Sequence, residues 1–262
     1  MANTETHSIT QEKQNRKEQG DTTLAFAENF SKSFDDTQVL HDISFELHKK
    51  EHMVVLGKSG TGKSVLIKSM VGLHRPSGGK LEVLGKDLRE IENKELIELR
   101  RKVGYLFQGG ALYDSMTVRD NLRFPLERQL NPKPEDEIQH LVEEGLESVG
   151  LSGAIDKMPS ELSGGMKKRI ALARTLILRP KIMLYDEPTT GLDPVTSKDI
   201  SQLILEMRDR YDITSVIVTH DIASAEIISD KIYIIKDGQF GAEGTFKELS
   251  NSDEDWIRAF FE

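Results

Sequence analysis

Gly57-Lys58-Ser59-Gly60-Thr61-Gly62-Lys63-Ser64 sets glycines, a lysine and a serine at the spacing of a loop that wraps phosphate. Gly57, Gly60 and Gly62 let the backbone curl so that its N–H groups point inward at anionic oxygens. A following helix adds the positive end of its dipole. In such a loop Lys63 supplies a mobile cation for the β and γ phosphates, and Ser64 a hydroxyl ligand for Mg²⁺. Ser59 and Thr61 complete the loop. In a chain this long the pattern arises by chance on the order of one time in a hundred. Its flanks match the mechanism. Met53-Val54-Val55-Leu56 is an apolar run suited to a strand buried on both faces, and Leu66, Ile67, Met70 and Val71 recur at helical spacing after it.

Working outward, Ile43, Phe45 and Leu47 alternate with polar residues as in a half-buried strand. Residues 74–79 read as a turn and 103–107 as a short strand. From about 131 to 150 the chain turns polar and helical behind Pro132 and Pro134, as in a separate helical lobe. A long helix over 166–178 follows and ends at Pro180. Strand and helix then alternate: 182–185, 194–210, 213–219 and a closing hairpin over 231–244. Asp193 before Pro194 is a capping carboxylate followed by proline at the first helical position. This alternation predicts an α/β fold with a mostly parallel sheet.

Ile182-Met183-Leu184-Tyr185-Asp186-Glu187 is an apolar strand ending in two carboxylates. Carboxyl ends of parallel strands face the ligand crevice, which suits Asp186 to Mg²⁺ and Glu187 to polarising a water. Taken alone, such a pair is more often a helix cap or a solvated turn. Its weight comes from the phosphate loop. His220 follows the next strand at its carboxyl end, where a lone histidine would ordinarily be structural. His48 and His52 are expected at the surface, in a turn between two strands.

Composition limits the rest. The 262 residues are 37% hydrophobic and 30% charged, with no cysteine and a formal net charge of −9. Disulfides, thiolate metal sites and cysteine nucleophiles are excluded. The acidic balance disfavours nucleic acid as a partner. No apolar run approaches the roughly 20 residues that span a bilayer. Residues 1–21 read as a polar disordered extension, not a secretory signal, so the protein is expected in the cytoplasm, reaching a membrane only through a partner.

Leu162-Ser163-Gly164-Gly165-Met166 opens the long helix just before the acidic strand and offers a second anion site. In this order, the phosphate loop, the Ser-Gly-Gly turn and the acidic pair resemble those of the ATP-binding-cassette (ABC) ATPases. The resemblance covers about residues 24–244. It implies a P-loop NTPase core, an antiparallel β subdomain and a helical signature lobe over about 109–175, all within a domain spanning 22–244 and followed by a helical tail over 245–262. It implies ATP and Mg²⁺ as ligands. Residue by residue, it implies that Phe34 stacks on adenine and that Gln108 touches Mg²⁺ and senses a membrane subunit. Ser163, Gly164 and Gly165 would reach the γ-phosphate held by another copy. Asp193 would sit in the loop linking two sites, with His220 as the switch histidine and Glu187 as the catalytic base. Met166 stands where glutamine is usual, and Gly191 where alanine is common; neither removes the Ser163 and Gly165 donors. One signature and one phosphate loop per chain imply a dimer of two copies.

The stretch from Leu106-Phe107-Gln108-Gly109-Gly110 through Thr117-Val118, followed by Asn121 and Phe124-Pro125-Leu126, is similar to the MlaF-type ATPases of Mla/Mce lipid-transport systems. That resemblance implies an MlaE-type permease and an Mce-domain lipid-binding protein as partners, phospholipid as cargo, and a location on the cytoplasmic face of the inner membrane. An ATPase of another importer, such as one for polar amino acids, shares the same site residues, and a soluble member acting on ribosomes or DNA is the third reading. In the tail, Trp256, Ile257, Phe260 and Phe261 share a helical face that packs either on its own domain or on the second copy, behind a Thr245–Glu248 capping box.

Overall fold

The computed structural model describes residues 23–129, 131 and 133–261. The expected N-terminal extension and Pro132 lie outside the described residues.

β1 (Thr23–Phe34), β2 (Thr37–His48), β4 (Gly78–Val83) and β5 (Lys86–Asp87) form an antiparallel sheet in the order β2-β1-β4-β5. The turn expected over 74–79 is shorter than the sequence suggests, because Gly78 and Gly79 already belong to β4. A second sheet has the order β10-β9-β3-β8-β7-β6, built from β3 (His52–Leu56), β6 (Val103–Leu106), β7 (Ile182–Asp186), β8 (Thr214–Thr219), β9 (Lys231–Lys236) and β10 (Gln239–Gly244). Strands β9, β3, β8, β7 and β6 pair in parallel, and β10 returns antiparallel as the hairpin partner of β9.

Alternation along the central strands divides the core. Val54 and Leu56 of β3 and Met183 and Tyr185 of β7 face one apolar cluster; Met53, Val55, Ile182 and Leu184 face the other. The second cluster is closed by α1 (Lys63–Met70), α2 (Asn93–Lys102) and the antiparallel sheet. The first is closed by α3 (Val118–Glu127), α4 (Glu135–Ser148), α5 (Gly164–Leu176), α6 (Pro194–Tyr211) and α7 (Ile222–Ile228). The helical lobe therefore has no core of its own. Leu122, Val142 and Leu146 join Leu172, Leu176 and the sheet in one continuous cluster, since helices this short cannot bury their apolar stripes among themselves.

In the tail, α8 (Phe246–Ser250) has the expected Thr245–Glu248 capping box. Ile257 of α9 (Asp255–Arg258) is buried, and Trp256, Phe260 and Phe261 pack against the same chain's first cluster. Trp256 lies against Gly241, where a Cβ would come within 3.0 Å of the indole.

His52 corrects the sequence reading. It is fully buried at the start of β3, while His48 is exposed at the end of β2. Its Nδ1 lies 3.2 Å from the Ile228 carbonyl, so Nδ1 carries the proton, and Nε2 is buried with no partner. Burial, with Arg208 next, pushes the imidazole down to about 4 against the opposing effect of Asp230. The spacing to His48 misled because the strand begins one residue earlier than the apolar run and carries His52 inward.

Candidate nucleotide-binding site

Neighbouring parallel strands put their carboxyl ends on one rim, and β3, β8, β7 and β6 are neighbours. The phosphate loop leaves β3, His220 follows β8, Asp186 ends β7 with Glu187 after it, and Gln108 follows β6. Sequence-distant residues meet there because of strand order. A cleft of about 540 Å³ is lined by Ser59, Gly60, Gly62, Lys63, Ser64, Gln108, Glu187 and His220, with Val39 on its wall.

The loop's shape is set locally. Gly62 has φ +98° at the N-cap of α1, and a Cβ there would come within 2.6 Å of Leu40. Both the left-handed conformation and the close approach require glycine. Thr61 Oγ1 closes the turn on the Lys58 carbonyl at 2.9 Å.

Lys63 is buried, and its ammonium has a full set of acceptors: the carbonyls of Gly57 (2.7 Å) and Lys58 (3.1 Å) and Glu187 Oε1 (3.3 Å). Glu187 takes φ +50°, a conformation that a non-glycine residue adopts at a cost and that is found at functional sites. Its Oε2 accepts from His220 Nδ1 (2.9 Å) and Thr190 Oγ1 (3.2 Å). His220 is exposed, so its Nε2 stays available on the cleft side. Asp186 accepts from Ser64 Oγ at 2.7 Å on Oδ1 and from Tyr105 hydroxyl at 2.8 Å on Oδ2.

A hydroxyl and a carboxylate side by side suit Mg²⁺, a hard cation that keeps most of its ligands as water and phosphate. Among the described residues no cluster of three or more His, Cys, Asp or Glu side chains could hold a metal ion.

Three of the expected groups stay apart from this cleft. Ser163 caps α5, its Oγ accepting from Met166 N at 3.3 Å, and Ser163 and Gly164 are exposed. The Asp193 carboxylate is held by its own helix, accepting from Val195 N, Thr196 N and Thr196 Oγ1, and these bonds keep it below its ordinary pKa. Phe34 ends β1 with its ring exposed, edge-on to His74 at 4.9 Å.

Two residues were missed in the sequence. Tyr105 bonds Asp186, and burial followed by that bond raises its phenol well above the ordinary range. Lys168 of α5 is buried and donates to the Gln108 carbonyl; burial lowers its pKa, and Glu187 and Asp186 oppose the drop. Only the position of Tyr105 next to the last residue of an edge strand signals its role. For Lys168 the sequence holds no signal, because lysine is common on helix surfaces.

The family model described as ABC transporter matches residues 40–190. The chain belongs to the ABC transporter family. Among its ABC relatives, the probable ribonucleotide transport ATP-binding protein mkl of Mycobacterium leprae is 44% identical over 230 residues, covering 88% of this chain. This chain spans 66% of the length of that mycobacterial protein. The intermembrane phospholipid transport system ATP-binding protein MlaF of Haemophilus influenzae is 39% identical over 219 residues, covering 84% of this chain and 83% of that one. Among solved ABC structures, the dimer of the ATP-binding cassette MJ0796 in a post-hydrolysis state with ADP and Pi superposes with a TM-score of 0.77 at 28% identity, covering 86% of this chain and 99% of that one. The fold is accordingly that of an ABC cassette, and among the described residues no helix is long and apolar enough to cross a membrane.

Proposed function

We propose that this chain is the ATP-hydrolysing subunit of a membrane transporter, acting as a pair of copies on the cytoplasmic face beneath a permease. The observation that carries this reading is the convergence of Lys63, Ser64, Asp186, Glu187, His220 and Gln108 on one cleft.

In that role the glycine-rich backbone and Lys63 cradle the β- and γ-phosphates. Ser64 and Asp186 hold Mg²⁺, which when bound neutralises charge on the phosphate oxygens. Glu187 accepts the proton of the attacking water, oriented by His220 and Thr190. Ser163 and Gly164, exposed at the start of α5, and the half-buried Gly165 complete the partner copy's site. Asp193 orders the loop between the sites by capping α6. Phe34 offers its exposed ring to the adenine. Gln108 connects the site to the segment running to Leu126, where the permease docks.

Phospholipid, or a similarly apolar lipid, is the cargo we favour. The MlaF relative is matched over most of its own length, and the segment from Leu106 to Leu126 resembles that of MlaF-type ATPases. An MlaE-type permease and an Mce-domain lipid-binding protein are the corresponding partners. The name of the mycobacterial relative supports a second reading, a transporter of a polar nucleotide-like solute.

Glu187→Gln tests the mechanism. Turnover should fall about 100- to 10,000-fold, the usual contribution of a general base, with ATP affinity retained and the dimer trapped closed. Hydrolysis at the wild-type rate would sink the assignment. Purifying the intact complex with its permease and identifying the bound molecule separates lipid from polar cargo.

A further inference from the structure

Asp186 has both carboxylate oxygens engaged, by different parts of the fold. Ser64 Oγ, on α1, donates to Oδ1, and the Tyr105 hydroxyl, on the edge strand β6, donates to Oδ2. Tyr105 pairs with Leu184 across β6 and β7, so in the pleat it lies on the same face as Asp186, two residues further along. Its ring is already anchored without the hydroxyl: it lies 4.4 Å from the Phe107 ring, tilted by 41°, and packs against the second apolar cluster. A phenylalanine would make those contacts equally well. The hydroxyl is needed for one thing, the bond to Asp186.

We propose that Tyr105 is a positioning residue for Mg²⁺: its hydroxyl orients the Asp186 carboxylate and so sets the affinity of the nucleotide-loaded site for the metal. This rests on the ATP–Mg²⁺ reading of the cleft. With Oδ2 held by Tyr105, the carboxylate plane is fixed while Oδ1 stays beside the Ser64 hydroxyl, where the metal and its waters are received. Without that bond the group turns about its last torsion, and ordering it again is paid for when metal binds.

The test is a titration of Mn²⁺, read by its electron paramagnetic resonance signal, into the full chain loaded with a non-hydrolysable ATP analogue. In Tyr105→Phe the Mn²⁺ affinity should fall about 10-fold, in line with the loss of an outer partner of a metal ligand, with analogue affinity in EDTA unchanged. Excess Mg²⁺ should restore the ATPase rate, so that the metal requirement moves and kcat does not. In an Asp186→Asn background, Tyr105→Phe should cost nothing more. Tyr105→Met, which fills similar space without a hydroxyl, should repeat the result should the phenylalanine variant fold poorly. Wild-type Mn²⁺ affinity in a folded Tyr105→Phe chain, or an equal loss of analogue affinity in EDTA, would overturn the inference. Failure of the wild-type chain itself to bind the analogue would instead overturn the ATP reading.

Discussion

The phosphate loop and the signature turn are both glycine-rich turns that open helices, and the fold treats them in opposite ways. Around the first, Lys63 is buried with its three acceptors, Ser64 is tied to Asp186, and Glu187 is braced by His220 and Thr190. Around the second, the Ser163 side chain accepts from Met166 N within its own turn, and Gly164 is exposed. One end of the molecule ties its charged and polar side chains to one another. The other leaves Ser163 and Gly164 at the surface. Under the proposed function, a second copy would bring its turn to the first copy's loop.

The largest way to break that contrast is Lys63→Ala. It should lower nucleotide affinity by at least roughly 100-fold, the loss of two charge-assisted hydrogen bonds, measured by calorimetric titration. Unchanged affinity would remove the phosphate-loop role. Gly164→Asp addresses the other end. A Cβ at Gly164 meets only Leu192 at an ordinary 3.5 Å, and an acidic residue suits a helix N-terminus, so the fold should tolerate it. Nucleotide affinity of the isolated chain should be unchanged while turnover falls about 100-fold, because a carboxylate now faces where phosphate must bind. Mixing the Lys63→Ala and Gly164→Asp chains should then raise turnover above that of either alone, since one site of each mixed pair joins an intact loop to an intact turn. No recovery would argue against a composite site.

The smallest effect lies away from the site, at His52. Its folded pKa of about 4 is below the ordinary 6.5, so as pH falls the unfolded chain takes the proton first. Stability is unaffected above 6.5, is lost as pH falls through the window to about 4, and levels off below it, a change on the order of 3 kcal/mol. Denaturant titrations across that window should show the slope, and His52→Gln should flatten it. Equal acid sensitivity in both proteins would show that other groups set the pH response.

Much of the site was legible because backbone-wrapping loops, acid-tipped strands and helix-opening glycines each demand particular residue types at fixed spacing. Lys63 and Ser64 follow from that demand alone, and Asp186 and Glu187 once the acidic pair is read together with the phosphate loop. Tyr105 and Lys168 do not, since tyrosine in a strand and lysine on a helix have bland explanations everywhere, and only the arrival of Asp186 and Gln108 beside them gives them a role. His52 failed for the reverse reason. Its surroundings are Ile228, Asp230 and Arg208, all more than 150 residues away in the chain, and no local pattern announces them.

The sequence by itself determined the local devices: the glycines of the phosphate loop, the cap at Asp193, the capping box at Thr245, and the alternating strands whose two apolar faces call for two layers of cover. Those depend on backbone sterics and side-chain period, which act over a few residues. Strand order, the meeting of four strand ends at one rim, the merging of the lobe with the sheet's core and the packing of Trp256 on its own domain were decided only by tertiary structure. Long-range contacts depend on which apolar surfaces can be buried together, and that is a property of the whole chain.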